Sequence, residues 1–175
     1  MSRARITGAV YLLYFLTAIF AQSLLGRSAP AYAAAANLVA TACYAAVTVL
    51  FYQLFRPVSR GISLLAALVS LTGCTVQALA IVHRAPAHAA LFFFGCYCIL
   101  IGYLIFASAF LPRFLGVVMA LAGAGWLLFL APSLPNAVSL SLEALGVLAE
   151  AMLMLWLLVA GIDVRRWNEQ VVSAR

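Results

Sequence analysis

Not one lysine occurs in this chain: all ten basic residues other than histidine are arginine. A retinal Schiff base, which needs a lysine amine, is therefore excluded. Histidine is nearly as scarce, with only His83 and His88, both at a loop, which argues against paired axial ligands for a buried haem. The chain has no H-E-x-x-H, no G-x-S-x-G and no Walker A loop, which argues against a metalloprotease, a serine hydrolase and a nucleotide-driven pump. Its acids number four, Glu143, Glu150, Asp163 and Glu169. A multi-site ion pathway carries several ionisable groups inside apolar segments, and here there is essentially one. The four cysteines, Cys43, Cys74, Cys96 and Cys98, all fall within apolar runs and form no C-x-x-C or Cys/His metal spacing. They read as small packing residues, and neither a redox role nor any cofactor is implied.

What is present is apolar: 67% of residues are hydrophobic, 8% are charged, and mean hydropathy is +1.15. A soluble domain of 175 residues cannot hide so much apolar surface, so the expected fold class is an all-α integral membrane protein. Windows of about 20 residues give six segments. They fall at 6–25, 34–55, 61–82, 89–110, 114–131 and 140–161, followed by a short tail, 162–175. Breakers such as Arg56-Pro57-Val58-Ser59-Arg60 and Leu111-Pro112-Arg113 keep the connections short, so neighbouring helices are antiparallel. No linker interrupts them, and residues 1–175 are expected to form one six-helix membrane domain.

The net charge of +6 is not a nucleic-acid footprint, because the arginines flank apolar segments singly or in pairs. Alternating helices collect Arg3, Arg5, Arg56, Arg60, Arg113, Arg165, Arg166 and Arg175 on one side and only Arg27 and Arg84 on the other. This asymmetry predicts both termini on the cytoplasmic side of an inner (plasma) membrane. Trp167 and the charged tail are expected at that interface. Ala31-Tyr32-Ala33 resembles a signal-peptide cleavage site, but the apolar run before it is too long for such a leader, so the first helix is expected to be retained. Arginine used without lysine, together with abundant alanine, points to a GC-rich bacterial source.

Glu150 stands out, since it lies near the middle of the last apolar segment. At 1.5 Å per residue it is roughly 15 Å from either end, where an acid costs about 2.5–3.5 kcal/mol to insert. No Arg or His is expected at its depth. The carboxyl is therefore expected to be neutral and to donate a hydrogen bond. Candidate partners at that depth are Tyr14, Thr17, Tyr44, Ser70, Thr72, Thr75 and Tyr97, with Gln77 nearer the outer side. Glu143, seven residues earlier, shares a helix face with Glu150 and could extend one cavity outward. His83, His88 and Glu143 are also a possible zinc set, although loop histidines are more often merely solvated. Small residues recur as Gly116, Ala120, Ala124 and as Gly95, Gly102, Ala109, rows that let helices pack within the chain or against a second copy or a membrane partner.

Four motifs carry a resemblance over nearly the whole chain: R-I-T-G-A-V-Y-L-L with Arg5, Gly8 and Tyr11; Leu54 to Leu65; Gly102 to Gly116, with F-L-P-R-F-L-G the most specific phrase; and Glu150 to Gly161. The chain thus resembles the bacterial multi-pass proteins known as domain of unknown function 4386. That likeness implies a six-helix membrane protein of unestablished activity, with Glu150 at the position of an acid in the last helix. The chain departs from the pattern at Tyr97, where a His is usual, and at Ala107, where an Arg is usual.

Two functions remain in view. One is a bundle that binds or carries a small apolar or amphipathic molecule near Glu150, with Tyr97, Tyr14, Gln77 and Glu143 contributing. The other is a structural or accessory membrane subunit in which Glu150 is an interhelical clamp. A lipid-modifying enzyme is the outsider, since no second catalytic group is evident beside Glu150.

Overall fold

The computed structural model describes residues 3–25, 30–83, 88–130 and 136–173, and those residues are helical apart from short turns. In chain order the helices are α1 (Arg3–Leu25), α2 (Pro30–Phe55), α3 (Arg60–His83), α4 (His88–Ala107), α5 (Arg113–Leu128), α6 (Asn136–Val159) and α7 (Val164–Ser173). By length and composition α1, α2, α3, α4 and α6 could each cross a membrane. The apolar α5, with 16 residues, is only about 24 Å long at 1.5 Å per residue. Leu13, Leu16, Ile19 and Phe20 on α1 and Leu64, Leu65 and Leu68 on α3 all point outward, a surface that suits lipid and not water.

Each of the first five helices packs against the next, and α6 returns to pack against α1, so the bundle closes into a ring. Glycines set the tightest contacts. A Cβ on Gly102 would stand 2.7 Å from Ala120 N and Gly116 O, and one on Gly123 would stand 2.7 Å from Gly95 O. The backbones of α4 and α5 therefore touch directly, running antiparallel. The expected small-residue rows serve this contact within the chain, with two corrections. Gly123 faces α4 while Ala124 is exposed, and Ala109 lies past the end of α4. That helix stops at Ala107 and not at 110 because the Ser108 N–H and hydroxyl both turn back to Ile105 O ahead of Pro112.

On the other side of the ring a Cβ on Gly8 would meet Leu158 N at 2.7 Å, which brings the start of α1 against the end of α6. The α2–α3 and α4–α5 connections gather at this same end, where Phe55 stacks on Phe110 at 5.9 Å. The tail does not trail away. Gly161, at φ 73°, ends α6, with its N–H and that of Ala160 donating to Trp156 O. Asp163 Oδ1 then accepts from the N–H groups of Arg165 and Arg166 and starts α7. The Trp167 indole N–H donates to Leu54 O at 2.9 Å, and Arg166 Nη1 donates to Ala109 O at 3.3 Å. This amphipathic helix is thereby tied across the end of the bundle. Arg3, Arg5, Arg56, Arg60, Arg113, Arg165 and Arg166 all stand exposed at that end, whereas Arg27, Arg84 and Arg175 lie outside the described residues.

Candidate functional site

The ring of helices has a polar centre. Glu150 on α6 is 4% exposed, and its Oε1 accepts a hydrogen bond from the Tyr44 hydroxyl on α2 at 3.4 Å, the long limit of such a bond. Tyr11 on α1 is buried beside this pair, its ring edge-on to that of Tyr44. Around Tyr44 the rings of Tyr14, Tyr97 and Tyr11 lie with centroids 4.8, 6.0 and 6.1 Å away, and Phe94 adds a fourth contact at 5.6 Å. Edge and tilted geometries dominate, as the ring quadrupole favours. One turn further along α2, Thr48 gives its hydroxyl proton to Tyr44 O at 3.0 Å. The 2.7 Å contact between Thr48 and Ser70 on α3 then has Ser70 as donor.

Tyr97 completes the group from α4. Its ring packs against Tyr44 and it is 2% exposed, yet its hydroxyl makes no hydrogen bond, even with Thr48 beside it. Ser63 Oγ and Trp126 Nε1 are the other buried side-chain atoms without partners among the described residues. Of the three, Tyr97 is the one in direct ring contact with the Glu150–Tyr44 pair. A buried hydroxyl left unpaired loses its hydration without replacement, at a cost of about 1–3 kcal/mol.

The candidate residues do not all come together. Glu150, Tyr14, Tyr44, Ser70 and Tyr97 share the centre. Thr17 turns its hydroxyl back to Leu13 O and Tyr14 O, and Thr72 and Thr75 are exposed and bond to Leu68 O and Leu71 O. These three satisfy their own helices. Gln77 is half-buried on α3, about 10 Å along the helix from Ser70 at 1.5 Å per residue. Glu143 is exposed, so the two acids of α6 do not line one buried surface: the bundle covers α6 around Ala149 and Glu150 but leaves most of its first turns bare. His83 is exposed at the end of α3, the His88 side chain lies outside the described residues, and no metal-holding group of three His, Cys, Asp or Glu occurs among those described. Two members of the centre were not among the candidates, Tyr11 and Thr48. For Tyr11 a signal was present in its place three residues after Gly8, the point of closest approach between α1 and α6.

A second feature is an open hollow of about 440 Å³ at the arginine-rich end, between the α4–α5 and α6–α7 connections and floored by Phe110, Leu111 and Trp156. It lies apart from Glu150.

Residues 78–161 match the sequence model of a family described as a domain of unknown function (DUF4386). The family expected from the motifs is the one found. The matched stretch carries Tyr97 and Glu150, whereas Tyr11, Tyr44, Thr48 and Ser70 precede it. Among curated proteins, an uncharacterised protein of Archaeoglobus fulgidus is 30% identical over 89 residues, which are 47% of this chain and 55% of that protein. The chain thus spans about half the length of the curated relative it matches. No solved structure matches it.

Proposed function

We propose that this chain is a multi-pass membrane protein, crossing the bilayer six times with both termini cytoplasmic, that binds a small amphipathic molecule at the Glu150–Tyr97 centre. The short α5 is accommodated against α4 by local thinning of the bilayer. The observation that carries the binding reading is the incomplete satisfaction of the centre. A carboxyl held by a Tyr44 bond of 3.4 Å and a fully buried Tyr97 hydroxyl with no partner leave hydrogen-bonding capacity unused where it is most costly. A polar group entering between them recovers that cost, with aromatic walls to hold its apolar part.

A second reading, that the centre is only an interhelical clamp, is favoured by the close ring packing around Tyr44 and by the Thr48–Ser70 bond joining α2 to α3. Native mass spectrometry of gently purified protein, with extraction of lipids and metabolites, separates the two when wild type is compared with Glu150→Gln. Binding predicts a discrete molecule retained by wild type and lost from the variant. Bulk lipid alone in both, with a lower melting temperature for the variant, would leave only the clamp.

A further inference from the structure

The centre holds a charge-bearing group but no counter-charge. Among the described residues every arginine is exposed at one end of the bundle, and the ion pairs are Arg165–Glu169 and Arg166–Asp163 on α7. Glu150 instead faces tyrosines from three other helices, with Tyr11, Tyr14 and Tyr97 all gathered on Tyr44. What lines the centre is therefore a carboxyl, hydroxyl oxygens able to accept, and aromatic faces whose quadrupoles are negative. Each of these favours a cation.

We infer that the molecule bound here is an organic ammonium with an apolar body, its N–H groups shared between the Glu150 carboxyl and Tyr97 Oη and its charge set against the tyrosine rings. The inference rests on the binding reading above and adds the chemical class of the ligand. An ammonium gives the carboxyl, once it has released its proton, the counter-charge that no described side chain provides, and it donates to the unpaired hydroxyl of the centre, Tyr97 Oη. A neutral alcohol would supply a donor without the charge. A carboxylate would find no cation at this depth among the described residues to offset its charge. Tyr14 is half-buried, whereas Tyr11, Tyr44 and Tyr97 are buried.

Three probes of nearly one shape test this: benzylamine, cationic at neutral pH, benzyl alcohol and benzoate. Equilibrium dialysis against the full chain in lipid nanodiscs, with empty nanodiscs as blank, reads saturable binding of each. Benzylamine is expected to bind saturably and the other two not. Glu150→Gln weakens its binding at least tenfold, and Tyr97→Phe, which keeps the ring and removes only the hydroxyl, weakens it several-fold. The comparison of probes on wild type needs no variant, so a misfolded Glu150→Gln would not spoil it. Saturable binding of benzyl alcohol or benzoate equal to that of benzylamine would overturn the ammonium assignment and leave a binding centre in place. If none of the three bound saturably while a native molecule was retained by mass spectrometry, the ligand class would be wrong. If no native molecule was retained either, the centre would not be a binding site at all.

Discussion

Thr48 shows how much one hydroxyl does in this bundle. It closes a bond to its own helix at Tyr44 O and receives Ser70 from α3, and it sits beneath the ring that reaches Glu150. Thr48→Val keeps the shape and removes both bonds. Hydrogen bonds between membrane helices average under 1 kcal/mol, so the expected loss in thermal or denaturant unfolding is about 1 kcal/mol. Trp167 is the comparable residue at the bundle end. Trp167→Phe leaves Leu54 O without its indole donor, and the expected cost is again about 1 kcal/mol. Limited proteolysis should then cut α7 faster than in wild type. Glu150 was legible in the sequence because an acid in a long apolar run stands out. Its partners were legible only in part, since depth along a helix can be counted but facing cannot. Depth counting placed Thr17, Thr72 and Thr75 beside it, although their hydroxyls turn to their own backbones, and it passed over Tyr11, which packs on Tyr44 one turn from the α1–α6 contact at Gly8.

At the scale of the element, glycine is decisive where two helices touch and idle at Gly61. At Gly102 an added methyl meets Ala120 N and Gly116 O at 2.7 Å, backbone atoms that cannot step aside, so Gly102→Val should separate α4 from α5 and cost about 1–3 kcal/mol or more. Gly61, near the start of α3, has nothing within 4 Å of such a methyl. There Gly61→Ala should leave stability unchanged or raise it by up to about 1 kcal/mol through better helix propensity. Unfolding in one detergent reads both variants. The positions of all six apolar helices were legible from hydropathy, with ends displaced by a few residues, at the end of α4 because Ser108 turns back to Ile105 O. Helix α7 was not foreseen as a helix. Val164, Trp167 and Val171 do recur at helical spacing, but a ten-residue stretch with four apolar residues escapes a membrane-span window of about 20 residues, and it is Trp167 docking on α2 and Asp163 capping its first turn that define it.

For the whole molecule, the ring closure of α6 on α1 was beyond sequence reasoning, because short loops specify sequential neighbours and nothing about how the last helix meets the first. The charge asymmetry was legible, and the described arginines gather at the end where α7 lies. Single-cysteine labelling on a cysteine-free background should find positions near Arg60 reactive only from the cytoplasmic side and positions near Tyr32 only from the other. The central claim is that the Glu150–Tyr97 centre is under-satisfied by itself and completed by a ligand. Thermal melting of Tyr97→Phe against wild type, each with and without saturating benzylamine, tests it most directly. The account predicts that the variant alone melts at or above the wild-type temperature, since it removes an unpaired hydroxyl, and that its ligand-dependent stabilisation falls below that of wild type by about 1 kcal/mol, the equivalent of a several-fold weaker affinity. A variant that melts well below wild type yet gains as much from the ligand would mean that the hydroxyl is a bonded structural group, and would contradict the account.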